Sequence, residues 1–480
     1  MLAYQTVKSR FKTAYGRMKN VRYLQVAIVG GGPAGFYTAS QLLKSSHVKV
    51  DMYEQLPVPF GLVRYGVAPD HPEVKNVISK FTSVAELSRF NFMGNVTVGT
   101  DISLDSLKSA YDAVVLSYGS TGEHKLGIEG EIGPSSNLFT SQEFVGWYNG
   151  HPKHANLKVD LSSTDTAIVV GQGNVALDVA RILLSPIDKL AQTDITQHAI
   201  EVLSSSRIRH VHVVGRRGPV HVSFTSKEFR ELVALCNTYL ELDHTWLETQ
   251  LTLYADVLRT DRARRRLMEL LVNASKKKPI TTDRESDKKQ VFLDFLLSPH
   301  TLLTHPETNT VTGIEFQKNT LVGKGLDQRA VGLDTFHQIP AGLVVSSIGF
   351  KNEPFMGSPF DSKQRIIPNI RGRVKDEHAL YSSGWIKTGP KGVIASTMYD
   401  AYETAESILE DFPSTYSNFK PTQALHDIRT QLKLKGIRTT TFQDWLKLDD
   451  IEITRGHLAS KKREKIVTVD DMFSALLKIS

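Results

Sequence analysis

Leu24-Gln-Val-Ala-Ile-Val-Gly-Gly-Gly-Pro-Ala-Gly-Phe36 is the stretch on which the fold turns. Leu24–Val29 is apolar at all but one position and half β-branched, as expected of a parallel strand buried on both faces. Residues 36–43 read as a helix. Between the two, Gly30, Gly32 and Gly35 supply Gly-x-Gly-x-x-Gly. In such a turn the first glycine permits the bend and the second lets a pyrophosphate approach the backbone. The third lets helix and strand pack closely. The orphan N–H groups of the helix start then face the phosphates. A second apolar run, Val48-Lys-Val-Asp-Met-Tyr53, ends in Glu54, nineteen residues past Gly35, where an acid can bind an adenosine ribose hydroxyl. That order of strand, turn, helix, strand and acid predicts a dinucleotide-binding unit.

The pattern returns. Thr166–Val170 is another apolar strand, leading into Gly171-Gln172-Gly173-Asn174-Val175-Ala176, the Gly-x-Gly-x-x-Ala variant, and a helical stretch to residue 184. The next strand, Ile208–Val214, ends in Gly215-Arg216-Arg217-Gly218, with no acid where the first unit has Glu54. Two guanidiniums suit a ribose 2′-phosphate through charge-assisted, bidentate hydrogen bonds. The second nucleotide is therefore expected to be NADPH rather than NADH. The first is expected to be a tightly held FAD, so that hydride passes from nicotinamide to flavin.

The rest of the composition narrows the field. The 480 residues predict roughly two to four domains, and 40% hydrophobic with 23% charged residues exclude a disordered, collagen-like or coiled-coil chain. One cysteine, Cys236, excludes an internal disulfide, a Cys-x-x-Cys pair and a thiolate-held iron–sulfur cluster. Redox chemistry then falls to organic cofactors, and no metal site is expected. Net charge is +7, but Lys8, Arg10, Lys12, Arg17, Lys19 and Arg22 precede any acid. Without those six, bases exceed acids by one, so charge gives no argument for nucleic-acid binding. Residues 1–20, with spaced bases, hydroxyl residues and scattered apolar residues, read as a mitochondrial transit peptide. No run of 18 apolar residues follows, so no membrane span is expected.

Immediately after Glu54 comes Gln-Leu-Pro-Val-Pro-Phe-Gly-Leu-Val-Arg-Tyr-Gly-Val-Ala-Pro-Asp-His-Pro-Glu-Val-Lys-Asn76. This run resembles the signature of the adrenodoxin-reductase family, NADPH:ferredoxin oxidoreductases within the glutathione-reductase-like flavoproteins. The resemblance recurs at Gly171–Asp178, Val214–Pro219, Phe224–Arg230, Ser346–Gly349, Gly384–Ile394, Arg455-Gly456 and Lys462–Lys465. It implies FAD contacts at Ala34, Glu54, Leu62, Val98, Trp385, Gly392, Val393 and Ile394, beside the glycine turn. It implies NADP contacts at Gln172, Gly173, Asn174, Val175, Arg216, Arg217, Glu228 and Gly392, in the loop that Gly171 opens. The acceptor it implies is a small mitochondrial [2Fe–2S] ferredoxin that takes electrons singly, serving iron–sulfur assembly, haem modification or a cytochrome P450. The enzyme is expected to be a monomer of the mitochondrial matrix, at most peripheral to the inner membrane. Asp178 and His71 lie in two of the motifs, and a pair between them would relay protons or simply hold the motifs together.

The expected fold is α/β, with two Rossmann-like units and the NADP domain inserted into the FAD domain. The FAD domain would comprise residues 21–124 and 343–480, and the NADP domain residues 125–342. Val291–Leu297 and Thr312–Phe316 read as strands, and 181–206 and 281–289 as variable loops without assigned function. An acidic ferredoxin needs a basic docking face. Arg230 and the run Arg262-Ala-Arg-Arg-Arg266 are the candidates, with Lys276–Lys278 nearby; on a helix, Arg262, Arg265 and Arg266 share one face. Three other functions share part of this pattern. A glutamate-synthase-like electron-input subunit usually carries cysteine-held clusters, which one cysteine excludes. A flavin monooxygenase would oxidise NADPH only with an organic substrate and oxygen. A non-catalytic dinucleotide sensor would not be bleached by NADPH.

Overall fold

The computed structural model describes residues 23–131, 136–235, 238–276, 288–416, 420 and 423–478. The leader, Cys236, Lys277, Lys278 and most of 281–289 lie outside the described residues. The chain forms two compact units. One comprises the chain up to Gly61, Val77–Ser120 and Asn352–Trp445; the other comprises Leu62–Asn76, Thr121–Lys351 and Leu446–Ser480.

In the first unit seven strands lie in the order Asn369–Ile370, Arg373–Val374, Leu380–Ser382, Ala113–Leu116, Leu24–Val29, Val48–Glu54 and Phe90–Gly94. The last five pair in parallel. Leu24–Val29 sits between two neighbours and is buried on both faces, which is why its sequence barely alternates. Ala27 and Val29 join a core with Tyr53, Val114 and Leu116. On helix Pro33–Leu42, Phe36 packs 5.2 Å from Phe60 and 5.0 Å from Phe81, ring centre to ring centre.

The second unit has six parallel strands in the order Leu138–Thr140, Leu343–Ser346, Thr166–Val170, His210–Val214, Lys289–Asp294 and Thr238–Glu241. Helices Ser141–Asn149, Asn174–Leu184, Ser226–Val233 and Arg262–Ser275 contribute to one large core with Ala167, Val169, Val211 and Val213. Alternate residues of the same strands, Ile168, Val170 and Val214, pack instead with Leu302, Ile314, Phe316 and Ile339. Those four come from a three-stranded antiparallel sheet, Leu297–Thr304, Val311–Val322 and Arg329–Pro340. The architecture is thus the expected pair of parallel α/β units, with the segments of each interrupting the other in sequence.

Three segments fall in the other unit from the one expected. Leu343–Ser346 does not return to the first unit; it pairs with Thr166–Val170 and Leu138–Thr140. It occupies the position beside the nucleotide strand that Ala113–Leu116 holds in the first unit. Ser117 N–H donates to Val29 O at 2.8 Å, and Ser347 N–H to Val170 O at 2.7 Å. The return therefore falls at Asn352. Residues 446–480 also belong to the second unit, as do 62–76. Buried ion pairs hold both segments there: Arg64 with Glu452 at 2.5 Å, and Asp194 with Lys75 at 2.7 Å and Lys465 at 3.2 Å. Removing one partner would leave a buried charge uncompensated, which is why these segments stay with that unit. The strand expected at 312–316 is the first half of a twelve-residue strand, Val311–Val322, whose later residues are more polar.

Candidate functional site

Each unit places its glycine turn where the nucleotide strand ends. Gly30 takes φ +109°, and a Cβ there would come within 2.6 Å of Ser117 O. Gly171 takes φ +130°, and its Cβ would come within 2.1 Å of Ser347 O. Only glycine fits either place, because the flanking strand's last carbonyl closes on the bend. The second glycines differ in kind. Gly32 and Gly173 have no heavy atom within 4 Å of an added Cβ, so the side a phosphate would approach is open. Each is also the N-cap of its helix, with no side-chain acceptor on the orphan N–H groups.

Glu54 closes the first loop. Its Oε2 accepts from Gly31 N–H at 2.7 Å and its Oε1 from Leu56 N–H at 3.1 Å. Burial pushes this carboxyl above its ordinary value, opposed by the N–H groups of Leu56, Gly31 and Gln55. Each oxygen keeps a lone pair, as a ribose hydroxyl requires. Phe60 N–H donates to Gly31 O at 2.8 Å, folding 55–61 back over the turn. Helix Pro33–Leu42, which carries Ala34, is tied to the strand before Trp385 by Thr38 and Ser383, 3.1 Å apart. Asp400 accepts from Gly384 N–H at 2.6 Å, and buried Lys387 binds Asp400 at 2.7 Å and Glu403 at 2.8 Å. The half-buried Trp385 and the exposed Gly392–Val393 loop therefore hang from one braced helix, Ile394–Asp411. Val98 is a core residue beside Tyr53, and Leu62 opens the segment that belongs to the second unit. These residues fit a flavin dinucleotide's pyrophosphate and ribose.

In the second loop Gln172 is a brace. Its Nε2 donates to Val213 O at 3.2 Å and Asp294 O at 3.0 Å, and its backbone carbonyl accepts from Ser223 N–H at 2.9 Å. Asn174 Oδ1 accepts from Thr225 N–H at 2.9 Å, and Thr225 in turn hydrogen-bonds Glu228. Gln172, Asn174, Thr225 and Glu228 are thereby drawn together around the turn, with Gly173 and Val175 between them in sequence. Arg216 is exposed and Arg217 half-buried. Asn319 donates to Arg216 O at 3.0 Å and Leu296 N–H to Arg217 O at 3.2 Å, so both backbones are pinned. Among the described residues neither guanidinium has a carboxylate partner. Two uncompensated cations on a pinned loop fit a phosphate.

Asp178 and His71 do not form the expected pair. His71 Nε2 lies 2.6 Å from Glu231 Oε2, while Asp178 pairs with Arg181 at 2.8 Å, one turn along the same helix. Arg181, only 2% exposed, also binds Asp70 at 2.6 Å and lies 3.7 Å from Glu231. Burial pushes the Asp178 carboxyl up to about 6, against the pull of Arg181 and His71. Arg181 is thus the hub, in a stretch that reads from sequence as a variable loop. Its position three residues after Asp178 on a helix was the available signal.

Arg230, Arg262 and Arg266 are exposed and, among the described residues, lack carboxylate partners; Arg265 has Glu269 at 3.7 Å. Arg262, Arg265 and Arg266 do lie on one helix, Arg262–Ser275. No group of histidine, cysteine and acidic residues that could hold a metal occurs among the described residues, and no helix there is long and apolar enough to cross a membrane.

A chain with two dinucleotide turns in series, one backed by an acid and one by arginines, is built as a pyridine-nucleotide-dependent flavoprotein. Residues 24–236 match the family described as pyridine nucleotide-disulphide oxidoreductase. The chain is 46% identical over 456 residues to the NADPH:adrenodoxin oxidoreductase, mitochondrial, of Homo sapiens, covering 94% of this chain and 92% of that one. It is 41% identical to the probable NADPH:adrenodoxin oxidoreductase, mitochondrial, of Schizosaccharomyces pombe, covering 94% and 95%. FprA of Mycobacterium tuberculosis, solved in complex with NADPH, superposes with a TM-score of 0.87 at 35% identity, covering 95% of this chain and all of that one. The chain belongs to the NADPH:adrenodoxin oxidoreductase family.

Proposed function

We propose that this chain is a mitochondrial NADPH:ferredoxin oxidoreductase that binds FAD at the first loop and NADPH at the second. The observation that carries the reading is the contrast between two otherwise matching turns: Glu54 behind Gly30–Gly35, and Arg216-Arg217 behind Gly171–Ala176. FAD, when bound, would supply a centre that accepts one hydride, an electron pair, from NADPH and passes the two electrons on singly. The residues here bind and orient. Gly30, Gly32, Ala34, Gly35 and Glu54 would hold the flavin nucleotide's pyrophosphate and ribose, and Leu62, Val98, Trp385, Gly392, Val393 and Ile394 would contact it as well. Gly171, Gln172, Gly173, Asn174, Val175 and Glu228 line the NADP site, Gln172 and Asn174 chiefly through the backbone they brace. In the finer reading the enzyme is a monomer of the matrix, and Asp178 and His71 are linked through Arg181 and Glu231.

The acceptor is a small acidic [2Fe–2S] ferredoxin, docking on Arg230, Arg262, Arg265 and Arg266. The Arg262→Glu/Arg266→Glu variant is expected to keep NADPH-to-ferricyanide turnover, because a small inorganic oxidant needs no docking face. Ferredoxin reduction should fall roughly ten- to a hundredfold, and in the parent enzyme it should weaken as salt screens the approach. Steady-state rates with the two acceptors check this. A parallel loss of both would assign these arginines to the fold or the NADPH site, and no loss of either would move the docking face elsewhere.

A further inference from the structure

Helix Arg262–Ser275 carries four arginines near its start, and one of them behaves differently from the rest. Arg262, Arg265 and Arg266 are exposed, whereas Arg264 is half-buried. Its Nη1 donates to Val220 O and its Nε to Asp261 Oδ2 at 3.3 Å. Val220 lies three residues past Arg217, so the Arg264 guanidinium is fastened to the foot of the arginine loop. That loop is rigid on its other side too, through Asn319 to Arg216 O and through His221 N–H to Gly218 O at 2.9 Å.

The fields of these arginines meet. Burial pulls Arg217 below its ordinary value, and Arg216 and Arg264 pull it further. The same convergence is felt at His221, which is 6% exposed and directs Nδ1 towards Gly218, 4.0 Å from where a Cβ would stand. Burial holds its imidazole below the usual range, with Arg217 and Arg264 adding to that effect. Its Nε2 is occupied by Gly325 O at 3.2 Å. Asp261, beside Arg264, is the one carboxylate within 4.0 Å of any of the three guanidiniums among the described residues. Like charges brought together on pinned backbone repel unless an anion joins them. A guanidinium has five N–H donors, and Arg264 uses two.

We propose that Arg264 is a third arginine of the 2′-phosphate subsite, a specificity-determining residue that works from the inner side of the helix whose outer side carries Arg262, Arg265 and Arg266. One helix then serves both the nucleotide and the protein acceptor. The inference rests on the reading of Arg216-Arg217 as the 2′-phosphate loop. Its physical content is that a dianionic phosphate offsets three converging cations better than two, while an adenosine nucleotide without that phosphate gains nothing from Arg264.

Titration calorimetry of the FAD-loaded enzyme with 2′,5′-ADP and with 5′-AMP tests it without turnover. Arg264→Met is expected to weaken 2′,5′-ADP roughly tenfold, the scale of one charge-assisted contact, and to leave 5′-AMP unchanged. Arg264→Lys, which keeps the charge but loses the planar fork, should weaken 2′,5′-ADP only ~3-fold, and it serves as the reading should Arg264→Met not fold. An equal loss for both ligands, or no loss for either, would overturn the proposal and leave Arg264 as a brace for the Val220 carbonyl. Arg216→Gln/Arg217→Gln run in parallel separates the two ideas. If that variant loses the preference for 2′,5′-ADP while Arg264→Met keeps it, the loop reading stands and Arg264 is excluded. If it too keeps the preference, both fail.

Discussion

Gly32→Val is expected to yield a folded but colourless protein. The position has φ −86° and ψ −173°, which valine adopts readily, and an added Cβ meets no heavy atom within 4 Å. The side chain would instead fill the space left for the pyrophosphate. Its neighbours behave oppositely. A Cβ at Gly35 would stand 2.2 Å from Gly30 O, and one at Gly30 2.6 Å from Ser117 O, so alanine at either site must move the strand–helix junction itself. Flavin absorbance relative to protein, read beside a thermal melt, separates the cases. Gly32→Val should lose nearly all FAD with a melt close to that of the FAD-stripped parent. Full FAD in that variant would place the flavin elsewhere.

Arg216→Gln/Arg217→Gln is expected to change coenzyme choice. Each guanidinium would give the 2′-phosphate charge-assisted hydrogen bonds of about 1.5–3 kcal/mol, so losing one from each removes about 3–6 kcal/mol. That corresponds to a fall of roughly 10² to 10⁴ in kcat/KM for NADPH. NADH has no 2′-phosphate, and its kcat/KM should hardly move. Neither arginine has a carboxylate partner among the described residues, so the substitution breaks no ion pair of the fold. Equal losses with the two coenzymes, measured in steady state, would remove the assignment.

What could be read in advance was local. The glycine turns, Glu54 and Arg216-Arg217 are set by a strand, a bend and the residue at the end of the next strand, all within about fifty residues. The placement of Leu343–Ser346 is not local, since a strand's sheet is decided by its partners, here nearly two hundred residues earlier. A signal did exist. Ser117-Tyr118-Gly119 and Ser347-Ile348-Gly349 follow the two flanking strands with the same Ser-x-Gly pattern, and each serine's carbonyl faces the first glycine of its turn. The ion pairs of Arg181, Asp194 and Glu452 left no such trace. Their partners Asp70, Lys75 and Arg64 lie more than a hundred residues away, and a lone charged residue reads from sequence as a solvated one. The direct Asp178–His71 pair failed for a related reason, because each found a closer partner on the elements that meet there.

In this enzyme electrons pass from NADPH through a resident flavin to a ferredoxin. Anaerobic titration of the purified protein with NADPH, first alone and then with an acidic [2Fe–2S] ferredoxin, tests it most directly. The flavin absorbance should bleach with about one equivalent of NADPH. On adding oxidised ferredoxin the flavin colour should return while the cluster absorbance falls, two ferredoxins per NADPH by electron balance. A flavin that NADPH does not bleach, or a bleached flavin that recovers only with oxygen and never with ferredoxin, would contradict the account.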